Sequence, residues 1–185
     1  MLHMEQKDYK MEIVLELLKR ENHVREIAKS VNTNHMNISR KIKELSKENV
    51  VDFKTEGRNK TYFLKKNSEA KSYAIMAENY NFLKTLSKYP TLRTIIEKIQ
   101  DNKKIKMALL FGSYAKGAIK KDSDVDVYID TMDSKIKKEL EQIDSRLSVK
   151  IGKFDRENLL IKEIIKNHII FKGVEEYYGK TEFFG

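Results

Sequence analysis

Between two apolar runs, Ile105–Phe111 and Val125–Ile129, the chain reads GSYAKGAIKKDSDVD over residues 112–126. Few arrangements satisfy that pattern. The first apolar run is long enough for a buried strand, and the Gly112-Ser113 pair that ends it favours a tight turn. At such a turn, backbone N–H groups and a hydroxyl can meet an anion. The chain then makes a short helical excursion and returns on a second strand, expected over Asp124–Asp130. Asp124 and Asp126 lie two apart, so on a strand their carboxylates share a face. Paired carboxylates opposite a phosphate-sized turn suit a hard divalent cation such as Mg²⁺ and a phosphorylated ligand.

The Gly112-Ser113 pair, Gly117 and the Ser123-Asp124-Val125-Asp126 run resemble the minimal nucleotidyltransferase domain of the DNA polymerase β superfamily. The resemblance covers 103–185. It implies a nucleoside triphosphate ligand held with Mg²⁺. Gly112, Ser113, Lys116, Lys121 and Ser123 would lie at the phosphates, and Asp124 and Asp126 at the metal. Ser113, Asp124 and Asp126 would be the catalytic set. The superfamily usually has Arg where this chain has Lys116. Its active members also place a third carboxylate on a later strand, and that position falls on Lys150 within the run 147–155. A lysine there repels a metal ion and can neutralise a phosphate instead. Asp155 is the next acid along, and Glu141 and Asp144 belong to the preceding helix, expected over 134–147. Transfer of a nucleoside monophosphate to an unknown acceptor and nucleotide binding without transfer both stay open.

The first 66 residues carry a different pattern. Helices are expected over 9–20 and 24–30, then a turn at 32–34 and a third helix ending near 48. Ile38, Ile42 and Leu45 make the apolar stripe of that third helix. Met36, Asn37, Arg40, Lys43 and Lys47 lie on its opposite face. Two strands follow, 50–55 and 60–65, joined by a turn over 56–59 that carries Arg58 and leads to Lys60. The order resembles the winged helix-turn-helix of prokaryotic transcription regulators. That resemblance implies double-stranded DNA as a partner. Asn37, Arg40, Lys43 and Lys47 would face the major groove, and Arg58 and Lys60 the phosphates or minor groove.

The expected architecture is therefore α+β: a winged helix-turn-helix (1–66), a helical linker (67–102) and a nucleotidyltransferase domain with a small mixed sheet (103–185). The linker has helical periodicity on both sides of Pro90 and is a candidate surface for a homodimer. In the last domain a helix is expected over 157–167 and a strand over 168–173. Residues 175–185 read as a tail, with Phe183 and Phe184 as anchors.

Composition narrows the setting. The 185 residues contain no Cys, which excludes disulfides and thiolate zinc sites. The four His are scattered singly and suggest no metal site. No apolar run approaches the ~20 residues of a membrane span, and the first residues lack the apolar segment of a secretion signal. A cytoplasmic protein is expected. The formal net charge of +9 favours polyanionic partners. Three functions fit these features: a DNA-binding protein with a working transferase domain, a nucleotide-sensing regulator with an inactive one, and an antitoxin-like partner of a separate toxin.

Overall fold

A computed structural model describes residues 7–57, 59–120 and 122–185. Arg58 and Lys121 lie outside the described residues. The chain forms two compact units, one ending at Tyr80 and taking in Phe184 and Gly185, the other spanning Asn81–Phe183.

The first unit contains α1 (Tyr9–Lys19), α2 (Val24–Ser30), α3 (His35–Lys47), β1 (Val51–Glu56) and β2 (Asn59–Leu64). Asp8 caps α1 through its side chain, and Asn34 caps α3 by accepting from the Asn37 backbone N–H at 2.8 Å. The ends of α2 and α3 share one device. Asn32 and Asn49 adopt left-handed backbone, φ 54 and 63. Thr33 N–H then reaches the Ala28 carbonyl, and Val50 N–H the Leu45 carbonyl, both at 2.9 Å. These are Schellman closures, with asparagine at the position that tolerates positive φ. The first of them makes the sharp turn between α2 and α3. Ile13, Val14, Ile27, Ile38, Ile42 and Leu45 are buried together beneath it. Each contributes roughly 1.5–3 kcal/mol relative to exposure. β1 and β2 pair antiparallel from Val51↔Leu64 to Glu56↔Asn59, and Asn22 bridges to Tyr62 on the far side of β2. Helix, turn, helix and a two-stranded wing make a winged helix-turn-helix.

The segment 67–102 is divided between the units. α4 (Ser68–Lys88) crosses the boundary, whereas α5 (Arg93–Asp101) belongs to the second unit. Pro90 stands in a short 3-10 turn, Pro90–Leu92, that leads into α5.

The second unit is built on a mixed four-stranded sheet. Its elements after α5 are β3 (Ala108–Leu110), α6 (Gly112–Lys116), β4 (Val125–Asp130), α7 (Ser134–Glu141) and β5 (Leu147–Gly152). Then come α8 (Leu159–Lys166), β6 (Ile169–Lys172) and α9 (Val174–Thr181). The strand order is β5-β4-β3-β6, with β4 and β5 parallel and β3 antiparallel to both neighbours. One face packs Ala108, Leu110, Val125, Val127, Ile129, Leu147, Val149, Ile169 and Phe171 against α5 and α7. Lys172 fastens β6 to the end of α5. Its ammonium donates to the carbonyls of Ile99, Gln100 and Asn102 at 3.2, 2.6 and 2.8 Å.

Several expected boundaries move. The helix expected over 134–147 stops at Glu141, and a turn containing the Asp144–Arg146 ion pair feeds β5. Residues 174–181 form α9 rather than a tail. Tyr177 and Tyr178 are buried there, and Tyr177 packs edge-on against Phe154. The expected tail anchored by Phe183 and Phe184 gives way to a helix because the surface that Tyr177 and Tyr178 bury against is not local in sequence. Among the described residues, no helix is long and apolar enough to cross a membrane.

Candidate functional site

The chemistry-bearing residues converge where β3 ends and β4 begins. Gly112 opens α6 with φ +64. A Cβ added to it would collide with the Asp126 carboxylate, reaching 3.0 Å from Cγ and 3.3 Å from Cβ. Glycine is thus required twice, for its backbone and for its missing side chain. The contact is fixed from the other side as well, because Phe111 N–H donates to the Asp126 carbonyl at 3.0 Å. Gly117, φ +67, closes α6 as Asn32 and Asn49 close α2 and α3, with Ala118 N–H on the Ser113 carbonyl at 3.0 Å. The motif glycines therefore form a five-residue helix that starts against one carboxylate and stops after one turn and a half.

Asp126 is half-buried on β4, and Asp124 lies exposed just before the strand, one position short of its expected place on it. Burial and the neighbouring Asp124 charge push the Asp126 carboxyl above the usual carboxylate range. A hydrogen bond from Ser148 and the charge of Lys150 oppose that rise, and the charge of Glu163 adds to it. Ser148 is explained by register: in the parallel pairing it sits opposite Asp126, and Lys150 sits opposite Tyr128. Two crowded carboxylates, one of them resisting ionisation, are a hard-oxygen donor set that a divalent cation relieves. The residues fit such an ion. Among the described residues, no group of three or more His, Cys, Asp or Glu is placed to hold a metal. The pair would hold an ion whose remaining positions are filled by oxygens from a ligand.

The remaining expected residues divide. Lys116 is exposed at the end of α6 and pairs with Glu163 of α8 at 2.7 Å. Ser123 accepts from the Lys120 backbone N–H at 2.8 Å, which closes the loop that delivers Asp124. Lys121 cannot be placed. Lys150 is exposed on the face of β5 that continues the Asp126 face of β4. Asp155 stands beyond the end of β5 and accepts from the Glu157 backbone N–H. Glu141 pairs with Lys137, and Arg146 holds the Asp144 carboxyl down to about 2. Two residues were missed from the sequence. Ser148 was legible from strand parity, two before Lys150. Glu163 gave no signal, standing 47 positions from its lysine.

On the first unit, Arg40, Lys43 and Lys47 are exposed along α3, with Met36 at 73 % exposure and Asn37 half-buried. Arg40 donates to the Asn37 side chain at 3.3 Å, so the two present a joined amide–guanidinium edge. On the wing, the Lys60 ammonium lies 3.9 Å from the centre of the Phe53 ring. Arg58 cannot be placed.

A family model described as Polymerase beta, Nucleotidyltransferase matches residues 93–176. Residues 93–176 therefore form a nucleotidyltransferase domain of polymerase β type, carried with a winged helix. No curated protein matches the chain. Among solved structures, the adhesin competence repressor (AdcR) from Streptococcus pyogenes is similar at TM-score 0.41 and 16 % identity, covering 49 % of this chain and 69 % of that one. A mutant of ZitR from Lactococcus lactis is similar at TM-score 0.39 and 15 % identity, covering 50 % and 63 %. Both similarities are low, and the winged helix rests on the element order and strand pairing described above.

Proposed function

We propose that this protein is a DNA-binding regulator whose C-terminal domain binds a nucleoside triphosphate together with Mg²⁺. The observation that carries the reading is the seating of Gly112 directly on the Asp126 carboxylate, with Asp124 beside it. That contact couples the turn suited to phosphates to the pair suited to the metal. Gly112 and Ser113 bind the β- and γ-phosphates, and Asp124 and Asp126 hold the ion. When bound, the ion neutralises phosphate charge and supplies Lewis acidity. Lys116 turns from Glu163 to the phosphates when nucleotide arrives. Ser123 shapes the loop, and Lys121 adds charge near it. On the first unit, Asn37 and Arg40 read base edges in the major groove. Lys43, Lys47, Arg58 and Lys60 meet phosphates of double-stranded DNA.

Calorimetry of the full chain with ATP and GTP, with and without Mg²⁺, tests the nucleotide half. Asp126→Asn should abolish the Mg²⁺-dependent part of binding with the fold intact. Equal affinity in variant and wild type would sink the reading.

Transfer of a nucleoside monophosphate to a hydroxyl or amine, with release of pyrophosphate, is a second reading. It is favoured by the exposed Asp124 next to the half-buried Asp126. The absence of an acid from the Asp126 face of β5 weighs against it. Incubation with α-labelled nucleotide, Mg²⁺ and cell extract separates the two, since only transfer yields a labelled macromolecule that disappears in Asp124→Ala.

A further inference from the structure

β5 is the strand that lies beside β4 on the side away from β3. Any group that a neighbouring strand adds there to the Asp124–Asp126 pair comes from Ser148 or Lys150, which share the face of Asp126. Ser148 already hydrogen-bonds the Asp126 carboxylate. Lys150 is exposed, and among the described residues its ammonium has no hydrogen bond or ion pair. An ammonium placed beside two metal-binding carboxylates changes what the site can accept. A carboxylate with its own divalent ion adds a single net positive charge, and a lysine adds the same charge with no ion. Lys150 thus supplies the charge that a second metal and its ligand would bring.

We propose, resting on the nucleotide reading above, that this site takes one divalent ion per nucleotide and that Lys150 binds the triphosphate in place of a second ion. The ion bound by Asp124 and Asp126 then meets the phosphates on one side and the lysine meets them on the other. The ammonium's flexible stem suits the role, because it reaches a phosphate as a point charge without a fixed approach. Ser148 keeps the Asp126 carboxylate turned to the metal rather than toward Lys150.

Mn²⁺ titration of the full chain, followed by electron paramagnetic resonance, counts the ions directly. It is done at one α,β-methylene-ATP per protein, with affinity read separately by calorimetry. Wild type should bind one Mn²⁺ per complex and Lys150→Asp two. Lys150→Met should keep one ion and lose about tenfold in nucleotide affinity, the size of one charged contact. Lys153→Met, an exposed neighbour, should bind as wild type does. Two ions in wild type, or unchanged affinity in Lys150→Met, would overturn the inference while leaving the nucleotide site standing. Loss of any Asp126-dependent nucleotide binding would overturn both.

Discussion

Replacing Gly112 with alanine perturbs the site at one atom, and its cost can be divided. At φ +64 an L-residue pays about 1–2 kcal/mol for left-handed backbone. Gly117 sits at φ +67 with nothing within 4 Å of an added Cβ, so Gly117→Ala pays that strain alone. At Gly112 the new methyl also displaces the Asp126 carboxylate. Driving the side chain off its rotamer costs about 0.5–1.5 kcal/mol, and the weakened Ser148 hydrogen bond adds a contribution of about 1 kcal/mol. Gly112→Ala should therefore be dearer than Gly117→Ala by about 1.5–2.5 kcal/mol. In an Asp126→Ala background most of the difference should disappear, because the carboxylate is gone and only the Cβ contact at 3.3 Å remains. Urea denaturation of the four chains, read by hydrogen exchange at the β3 and β4 amides, follows the second unit alone. Gly112→Ala should also lose Mg²⁺-dependent nucleotide binding, and Gly117→Ala should weaken it much less. Equal costs in both backgrounds, or full nucleotide affinity in Gly112→Ala, would refute the close seating of turn and carboxylate.

Three further outcomes are expected. Glu163→Gln should tighten nucleotide binding in calorimetry, since it frees Lys116 and removes a negative charge that acts on Asp126. Because the Asp126 carboxyl lies above the usual range, the metal-free unit should lose stability as pH rises from the ordinary carboxylate pKa through that of Asp126. Mg²⁺ affinity should rise over the same interval, so thermal melts with and without Mg²⁺ diverge as pH increases. DNA binding should weaken with salt at a log–log slope of about −3.6 if Lys43, Lys47, Arg58 and Lys60 each meet a phosphate. Lys43→Ala should make the slope shallower by about 0.9 in fluorescence anisotropy, and an unchanged slope would remove α3 from the interface.

Local signals carried the winged helix. Asn34, the turn at 32–34 and the Ile38-Ile42-Leu45 stripe each act within a few residues, so sequence order and structure coincide there. The nucleotide motif was legible for the same reason: Gly112, Gly117, Asp124 and Asp126 stand on one short strand–helix–strand excursion. The rest of the site depends on pairing across the sheet. Ser148 matters only because β5 lies parallel to β4 in one register, and a slip by one residue would turn it to the other face. Glu163 matters only because α8 returns to α6, which no periodicity announces. α9 is not announced by periodicity, because two adjacent tyrosines show no helical stripe until Phe154 supplies a surface for them.

The clasp of Lys172 on the end of α5 bears on the order in which the protein is made. The winged helix closes through contacts near in sequence, so it can fold while the rest of the chain is still being synthesised. The sheet of the second unit cannot finish in that way. β3 has one edge against β4, and its other edge waits for β6, some sixty residues later on the ribosome's product. Until Lys172 emerges, the Ala-Leu-Leu strand offers an open apolar edge, and the last carbonyls of α5 lack their ammonium. A newborn chain thus passes through an interval in which its helix-turn-helix is closed while its mixed sheet still has an open edge at β3. On the proposed function, a chain halted ahead of residue 172 would present a DNA-binding unit without a finished nucleotide-responsive one, and a chaperone would find its binding site at β3.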